Sequence, residues 1–247
     1  MTRIKPSPRQ RLDQMLLDRG LVETRAKAQA LILAGEVTVN GQRADKPGHA
    51  VPTDSRIEVA QPLRYVGRGG FKLEAALDHW SIDVTGRTCA DIGASTGGFT
   101  DCLLQRGAAT VYAVDVGAGQ IDWKLRSDAR VVLREGVNAR YLSAEHIPEA
   151  IDFACADVSF ISVTLILPAL VPLLKPAGSM VILVKPQFEV GKGQVGKGGI
   201  VRDPVLHAGA CARVERVARE LGFETAIIES PVLGAEGNKE FLLHARR

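Results

Sequence analysis

Three places in the chain carry side chains able to do chemistry on a bound ligand. The first is Asp91-Ile92-Gly93-Ala94-Ser95-Thr96-Gly97-Gly98-Phe99-Thr100, a dense glycine cluster after the apolar run Thr88-Cys89-Ala90. Glycines at a strand end let a ligand come close to the backbone. A dinucleotide loop reads Gly-x-Gly-x-x-Gly, and Gly93-x-x-x-Gly97-Gly98 does not fit that spacing. The second is the end of the next apolar run, Val111-Tyr112-Ala113-Val114, which stops at Asp115 and Val116. A carboxylate there can accept from both hydroxyls of an adenosine ribose. An adenosine ligand without a pyrophosphate, a dinucleotide and a turn that binds nothing are the three readings. The third place is Lys185, directly after the apolar run 180–184, with Asp157 ending the run 151–157. A lysine at the carboxyl end of a strand sits where ligands bind in open α/β sheets. Such a lysine becomes a base once it loses its proton, and desolvation or a second ammonium nearby favours that loss.

A second glycine cluster, Gly191-Lys192-Gly193-Gln194-Val195-Gly196-Lys197-Gly198, nearly spells a phosphate loop. Gly198 stands where Ser or Thr must hold magnesium, and the cluster lies past Pro186, away from its strand. It reads either as a mobile basic loop beside the site or as an ordinary loop.

These residues need a scaffold that gathers strand ends. Apolar strand candidates recur at 88–93, 110–116, 130–133, 151–157, 179–185, 225–229 and 240–245, separated by helical stretches. The alternation predicts an α/β domain with a mostly parallel sheet. Leu73, Ala76, Leu77 and Trp80 form a helical stripe before the first strand, and a helix is expected over 101–106. The preceding residues read as a small module. A first helix carries Leu12, Met15 and Leu16 and stops at Gly20. Thr24 caps a second helix that Gly35 ends. Val37 and Val39 alternate, Asn40-Gly41 signals a type I′ hairpin, and 56–59 is a last strand. Pro and Gly in 61–70 read as a linker, giving domains at 1–60 and 71–247.

Composition narrows the classes. With 247 residues and 46% hydrophobic content, the chain is globular, not mainly disordered. A net charge of +3 permits a nucleic-acid partner without demanding one. Cys89, Cys102, Cys155 and Cys211 have no zinc spacing and make no disulfide scaffold, so no metal and a reducing cytoplasm are expected. The basic N-terminus has no apolar run behind it, and Pro168 and Pro172 break the run 163–174, so no membrane association is expected. In the small module Arg9 and Arg11 enter the first helix, Arg25 and Lys27 open the second, and Lys46 follows the hairpin. They line an anion-binding surface or are solvated charges balanced by Asp13, Asp18, Glu23 and Glu36.

Residues 11–51 resemble the RNA-binding domain first seen in ribosomal protein S-four, through Arg11, Leu12, Asp13, Gly20, Arg25, Leu31, Ile32, Gly35, Val37, Val39, Asn40, Gly41 and Lys46. Thr24 stands where that family usually has Ser. The glycine cluster with Asp115 resembles the S-adenosylmethionine (SAM) site of Rossmann-like methyltransferases. That likeness implies cofactor contacts at Asp91, Gly93, Ala94, Ser95, Gly97, Gly98, Phe99, Asp115, Val116 and Asn138. Neither an Asn/Asp-Pro-Pro-Tyr motif nor a Pro-Cys nucleophile is present. Instead Lys72, Asp157, Lys185 and Glu240 resemble, in order and context, the Lys-Asp-Lys-Glu tetrad of FtsJ-type ribose 2′-O-methyltransferases.

The combination looks like the TlyA family over about residues 9–246. The likeness implies a Rossmann-like SAM-dependent methyltransferase sheet behind a small α+β S-four-type RNA-binding domain. The activity it implies is ribose 2′-O-methylation of ribosomal RNA at cytidine, with ribosomal RNA or a ribosomal subunit as partner. Within the tetrad it implies Lys185 as general base, Asp157 holding it, Lys72 as the second ammonium, and Glu240 binding ribose or positioning Lys72. Arg9, Arg11, Arg25, Lys27, Lys46 and Arg68 would then hold RNA. The linker motif Arg-x-Trp-Val of some members is not intact in Leu63-Arg64-Tyr65-Val66. Members were first described as haemolysins, so a membrane-active protein and a non-catalytic RNA-binding protein are the competing readings. The lack of a spanning or basic amphipathic stretch argues against the first, and the intact tetrad against the second.

Overall fold

A computed structural model describes residues 7–60, 64–234 and 237–247, the side chain of Lys192 apart, and the chain divides at Pro62 into two units. The first contains β1 (Arg9–Arg11), α1 (Leu12–Asp18), α2 (Arg25–Ala34), β2 (Val37–Val39), β3 (Gln42–Arg43), β4 (Ala50–Pro52) and β5 (Ile57–Val59). As expected, Thr24 Oγ1 accepts from the Lys27 N–H at 3.2 Å and Gly35 closes α2 in the left-handed region. Asn40 and Gly41 both have positive φ, 52° and 80°, as a type I′ turn requires. β2 lies between β3 and β5, and a separate antiparallel pair joins β1 to β4. That pair had no signal in the sequence, because Arg-Gln-Arg has no apolar alternation. Leu12, Leu16, Ala28, Ile32 and Val37 form the core.

A buried charge ties this unit together. Asp13 is fully buried and accepts from Arg11 Nη2 at 2.9 Å, Arg25 Nε at 3.0 Å and Gln29 Nε2 at 3.0 Å. The Arg11 guanidinium holds the Asp13 carboxyl well below the usual carboxylate range. Two of the cations expected to hold RNA, Arg11 at the end of β1 and Arg25 at the start of α2, thus share one carboxylate of α1.

The second unit runs α3 (Gly69–His79), β6 (Thr88–Ile92), α4 (Gly98–Gln105), β7 (Thr110–Val114), α5 (Trp123–Arg126), β8 (Val131–Arg134), β9 (Ile151–Ala156), α6 (Leu167–Leu170), β10 (Leu174–Val184), α7 (Pro186–Glu189), α8 (Pro204–Glu220), β11 (Glu224–Glu229) and β12 (Phe241–Arg246). The sheet order is β11-β12-β10-β9-β6-β7-β8, parallel from β10 to β8, with β12 antiparallel to both neighbours. Successive residues of the central strands feed opposite faces. Ala90, Ile92, Val114, Ala154 and Ile182 pack under α6 and α8, whereas Cys89, Val111, Phe153, Val181 and Leu183 pack under α3 and α4. The mostly parallel sheet expected from the strand spacing is therefore present.

Three boundaries differ from expectation. Helix α4 begins at Gly98, inside the glycine cluster, and β10 begins at Leu174, before 179. Residues 61–63 of the expected linker lie outside the described residues, and 64–70 belong to the large unit. Tyr65 is 1% exposed, stacks edge-on with Phe71 at 5.2 Å, and leaves no room for a side chain at Gly70, where a Cβ would meet its ring at 2.2 Å. The Val66 N–H donates to Asp101 Oδ2 at 2.9 Å, fixing the segment to α4. Gly70 here serves a close approach between packed segments.

Among the described residues no helix is long and apolar enough to cross a membrane, and no three metal-binding side chains converge. All four cysteines are buried free thiols.

Removing the Asp13 carboxylate strips charge-assisted hydrogen bonds from three partners. Asp13→Ala is expected to destabilise the first unit by about 3 kcal/mol. Faster hydrogen exchange of α1 and α2 amides reads the effect, and unchanged exchange would contradict it. Because the folded Asp13 carboxyl is held low, its contribution is complete above about pH 5 and declines as pH falls below that.

Candidate active site

The chain runs outward from β6 through β7 to β8, then returns to place β9 on the other side of β6. Ligands bind at the carboxyl ends of strands at such a reversal. Two cavities lie there. The larger, about 450 Å³, is walled by Gly93 and Ser95 after β6, Asp115 and Val116 after β7, Asn138, and Asp157 to Ile161 after β9. The smaller, about 190 Å³, is walled by Arg68, Gly93 to Thr96, Gly98, Phe99, Asp157, Ser159 and Lys185. Sequence-distant residues expected in the site are thus gathered by strand order.

Backbone amides hold the walls. Asp115 Oδ2 accepts from the Ser95 N–H at 2.8 Å and Oδ1 from the Gly117 N–H at 2.7 Å, leaving a free lone pair on each oxygen. Gly93 has φ 88°, and a Cβ there would lie 2.4 Å from the Asp157 carbonyl oxygen, so no other residue type fits. Asn138 Oδ1 accepts from the Arg140 N–H at 3.1 Å.

Asp91 and Gly97 do not line either cavity. Asp91 is fully buried, and its Oδ2 accepts from Thr100 Oγ1 at 2.7 Å and the Thr100 N–H at 2.9 Å, pinning the first turn of α4. Its Oδ1 has no partner among the described residues. Burial pushes the Asp91 carboxyl up to about 7. Gly97 caps α4 with φ 96°.

The four tetrad residues form two ion pairs. Lys185 follows β10, and its Nζ lies 2.6 Å from Asp157 Oδ1, off the hydrogen-bonding direction. It donates to Ser159 Oγ at 2.8 Å. Lys72, in the first turn of α3, donates to Glu240 Oε2 at 2.5 Å just before β12. Both members of this second pair are nearly inaccessible, with side chains 10% and 2% exposed. Glu240 and Lys72 are thus each other's partner. Cys155 is buried in the sheet with its thiol pushed up by burial, unlike a nucleophile.

Ser159, Phe160, Gln120 and Ile161 are wall residues that the sequence reading did not assign. Phe160 is 93% exposed and has φ 64°, a conformation a bulky residue adopts only under constraint. One constraint is Glu189, buried, which accepts from Ser162 Oγ at 2.5 Å and the Val163 N–H at 2.8 Å. Of the cations expected to hold RNA, Lys46 and Arg68 use only their backbone carbonyls in hydrogen bonds among the described residues, accepting from the His49 and Phe71 N–H groups. Lys27 pairs with Glu23, and Arg9 donates to the Ala50 carbonyl at 2.6 Å. Arg68 lies on the wall of the smaller cavity, in the second unit.

Comparison with known proteins agrees with this geometry. Residues 65–247 match the FtsJ-like methyltransferase family, and residues 10–57 match the S4 domain. The chain is 50% identical to YqxC of Bacillus subtilis, provisionally named an rRNA methyltransferase, over 96% of this chain and 86% of that protein. It is 48% identical to the 16S/23S rRNA (cytidine-2′-O)-methyltransferase TlyA of Mycobacterium tuberculosis, over 96% of this chain and 90% of that protein. A solved structure from Streptococcus thermophilus, provisionally named a hemolysin, superposes with a TM-score of 0.74 at 45% identity, covering 97% of this chain and 89% of that one.

The raised Asp91 carboxyl predicts a pH effect. The folded form holds its proton up to about 7, whereas an unfolded aspartate loses it near 3.9, so stability falls as pH rises between those values. Denaturant titration should show the decline in the wild type and a flatter profile in Asp91→Asn. Identical slopes would contradict the assignment.

Proposed function

The chain belongs to the TlyA family of FtsJ-like methyltransferases, and from that premise we propose that it transfers a methyl group from SAM to the 2′-hydroxyl of a cytidine in ribosomal RNA. The observation that carries the reading is Lys185, held by Asp157 and Ser159 on the wall that also carries Gly93, Gly98 and Phe99. Relatives named for cytidine 2′-O-methylation of rRNA and the S4 match over residues 10–57 support the substrate.

The larger cavity fits the cofactor. Asp115 offers its remaining lone pairs to ribose hydroxyls, and Val116, Val137, Val158 and Ile166 offer apolar wall for an adenine. When bound, SAM supplies an electrophilic methyl group on a positively charged sulfur. The protein must deliver a ribose oxygen to it and remove that oxygen's proton. A 2′-hydroxyl is a weak nucleophile at neutral pH, so a base is needed at the oxygen. Lys185 Nζ, once neutral, takes the proton. Asp157 and Ser159 hold the lysine against the cavity wall, so its nitrogen and the incoming oxygen need little further ordering. Lys72 is half of a pair with Glu240, so it acts on Lys185 as a dipole and not as a bare ammonium. Its part is to fix the start of α3, which brings Arg68 and Gly69 to the smaller cavity. Phe160 gives an exposed flat ring on which an unstacked base can lie. Four free buried thiols suit a reducing cytoplasm.

The test incubates purified protein with methyl-labelled SAM and ribosomal subunits from cells lacking the protein, then digests the RNA to nucleosides. Mass spectrometry should find 2′-O-methylcytidine. Lys185→Arg keeps the charge but cannot act as a base near neutral pH. It is expected to bind SAM within a few-fold of wild type by calorimetry and to lose roughly 10²–10⁴-fold in single-turnover rate. Methyl groups on a base, or full activity in Lys185→Arg, would contradict the proposal.

A further inference from the structure

Glu189 is a buried carboxylate to which methyl transfer gives no task. It lines neither of the two cavities of the site. A buried carboxylate is costly unless its hydrogen bonds are made, and both oxygens of Glu189 make them. Oε2 accepts from Ser162 Oγ at 2.5 Å, and Oε1 accepts from the Val163 N–H at 2.8 Å. The main chain at Glu189 is held as well, its carbonyl accepting from Arg213 Nη1 of α8 at 2.7 Å. Glu189 is thus anchored on α8 and reaches across to the loop that follows β9.

That loop needs holding. It leaves the sheet through Asp157, whose N–H donates to the Ile92 carbonyl at 2.9 Å. Ser159 accepts from Lys185, and Phe160 follows in the left-handed region with φ 64°. A bulky residue stays there only while its neighbours over-determine it. Before Phe160 the polar ties to other segments come from Asp157 and Ser159, and after it they come from Ser162 and Val163, both to Glu189. Lys185 and Glu189 stand one helical turn apart, at the two ends of α7. One turn of helix therefore grips the loop twice, and between the grips the rings of Phe160 and Phe188 meet at 5.3 Å.

We infer that Glu189 is a positioning residue for the reaction, holding Phe160 in the left-handed conformation that presents its ring to the unstacked base. The inference rests on the reading of the protein as a ribose methyltransferase. A carboxylate suits the task because two donors converge on it, one at each oxygen. Glutamine can do the same. The Val163 N–H only donates, so it fixes the amide oxygen opposite itself. The amide nitrogen then donates to Ser162 Oγ, whose own proton turns to Thr164 Oγ1, 2.7 Å away. Alanine leaves both donors without their acceptor.

The test measures single-turnover methylation of ribosomal subunits, with SAM and subunits saturating so that changes in affinity drop out. Glu189→Ala should lose roughly ten- to hundredfold, the scale of a misplacement of about 1 Å. Glu189→Gln should lose no more than about threefold. On a Phe160→Ala background the cost of Glu189→Ala should shrink to about threefold or less, because the ring it positions is gone. Hydrogen exchange in Glu189→Ala should leave the β9 and β10 amides as protected as in the wild type and quicken at 160–163. Should that protection be lost, Ser162→Ala, which removes one donor only, takes the place of Glu189→Ala in the same comparison. A rate that does not fall, a glutamine variant as slow as the alanine variant, or equal costs on both backgrounds overturns the inference alone. A wild type that methylates no ribose overturns the premise and the inference together.

Discussion

The contact between Lys185 and Asp157 ties together the ends of two adjacent parallel strands, and much of the site depends on it. β9 and β10 leave the sheet side by side, one into Asp157 and the other into Lys185. Joining their first residues sets where both following loops begin. One loop carries Ser159 and Phe160, and the other carries Gln187 and Phe188. Glu189 makes a second tie, from the end of the β10 loop back to Ser162 and Val163. Between the two ties the chain passes through the left-handed conformation of Phe160. A bulky residue there costs about 1–3 kcal/mol, which the flanking contacts must offset. The exposed ring and the cavity wall therefore share one mechanical origin.

The protein handles buried charge in different ways according to what the charge must do. Asp13 sits among three donors that all favour its ionised form, and the result is a rigid joint between two helices. Lys72 and Glu240 neutralise each other almost out of contact with water, an arrangement costly to break from either side. Asp91 has only Thr100 and an unpaired oxygen, so burial wins and its carboxyl holds a proton to about 7. Lys185 lies on a cavity wall and has a neighbour off the hydrogen-bonding line, so its side chain faces the space an incoming hydroxyl would enter. A base has to exchange its proton, and a joint must not.

Much of this was readable from residue order. The central strands appear as apolar runs because both of their faces are covered. Asp115 and Lys185 could be placed at strand ends because each ends such a run. The pairing of Lys72 with Glu240 was not readable from spacing, since 168 residues separate them. It follows from α3 packing on the face of the sheet to which β12 contributes Leu242. Asp91 looked like a ligand contact because it adjoins the glycine cluster, yet strand alternation turns it inward beneath the loop. The Pro and Gly content of 61–70 suggested a joint, whereas Gly70 is there to admit the Tyr65 ring.

The account stands on Lys185 removing the proton from a ribose hydroxyl, and the pH dependence of the single-turnover methylation rate tests this most directly. With SAM and ribosomal subunits saturating, the wild-type rate should rise with pH, as a reaction that needs an unprotonated base at the ribose oxygen requires. The Lys185→Arg rate should stay low and flat across the same range. A wild-type rate that does not change with pH, or a Lys185→Arg profile that keeps the wild-type rise, would contradict the account.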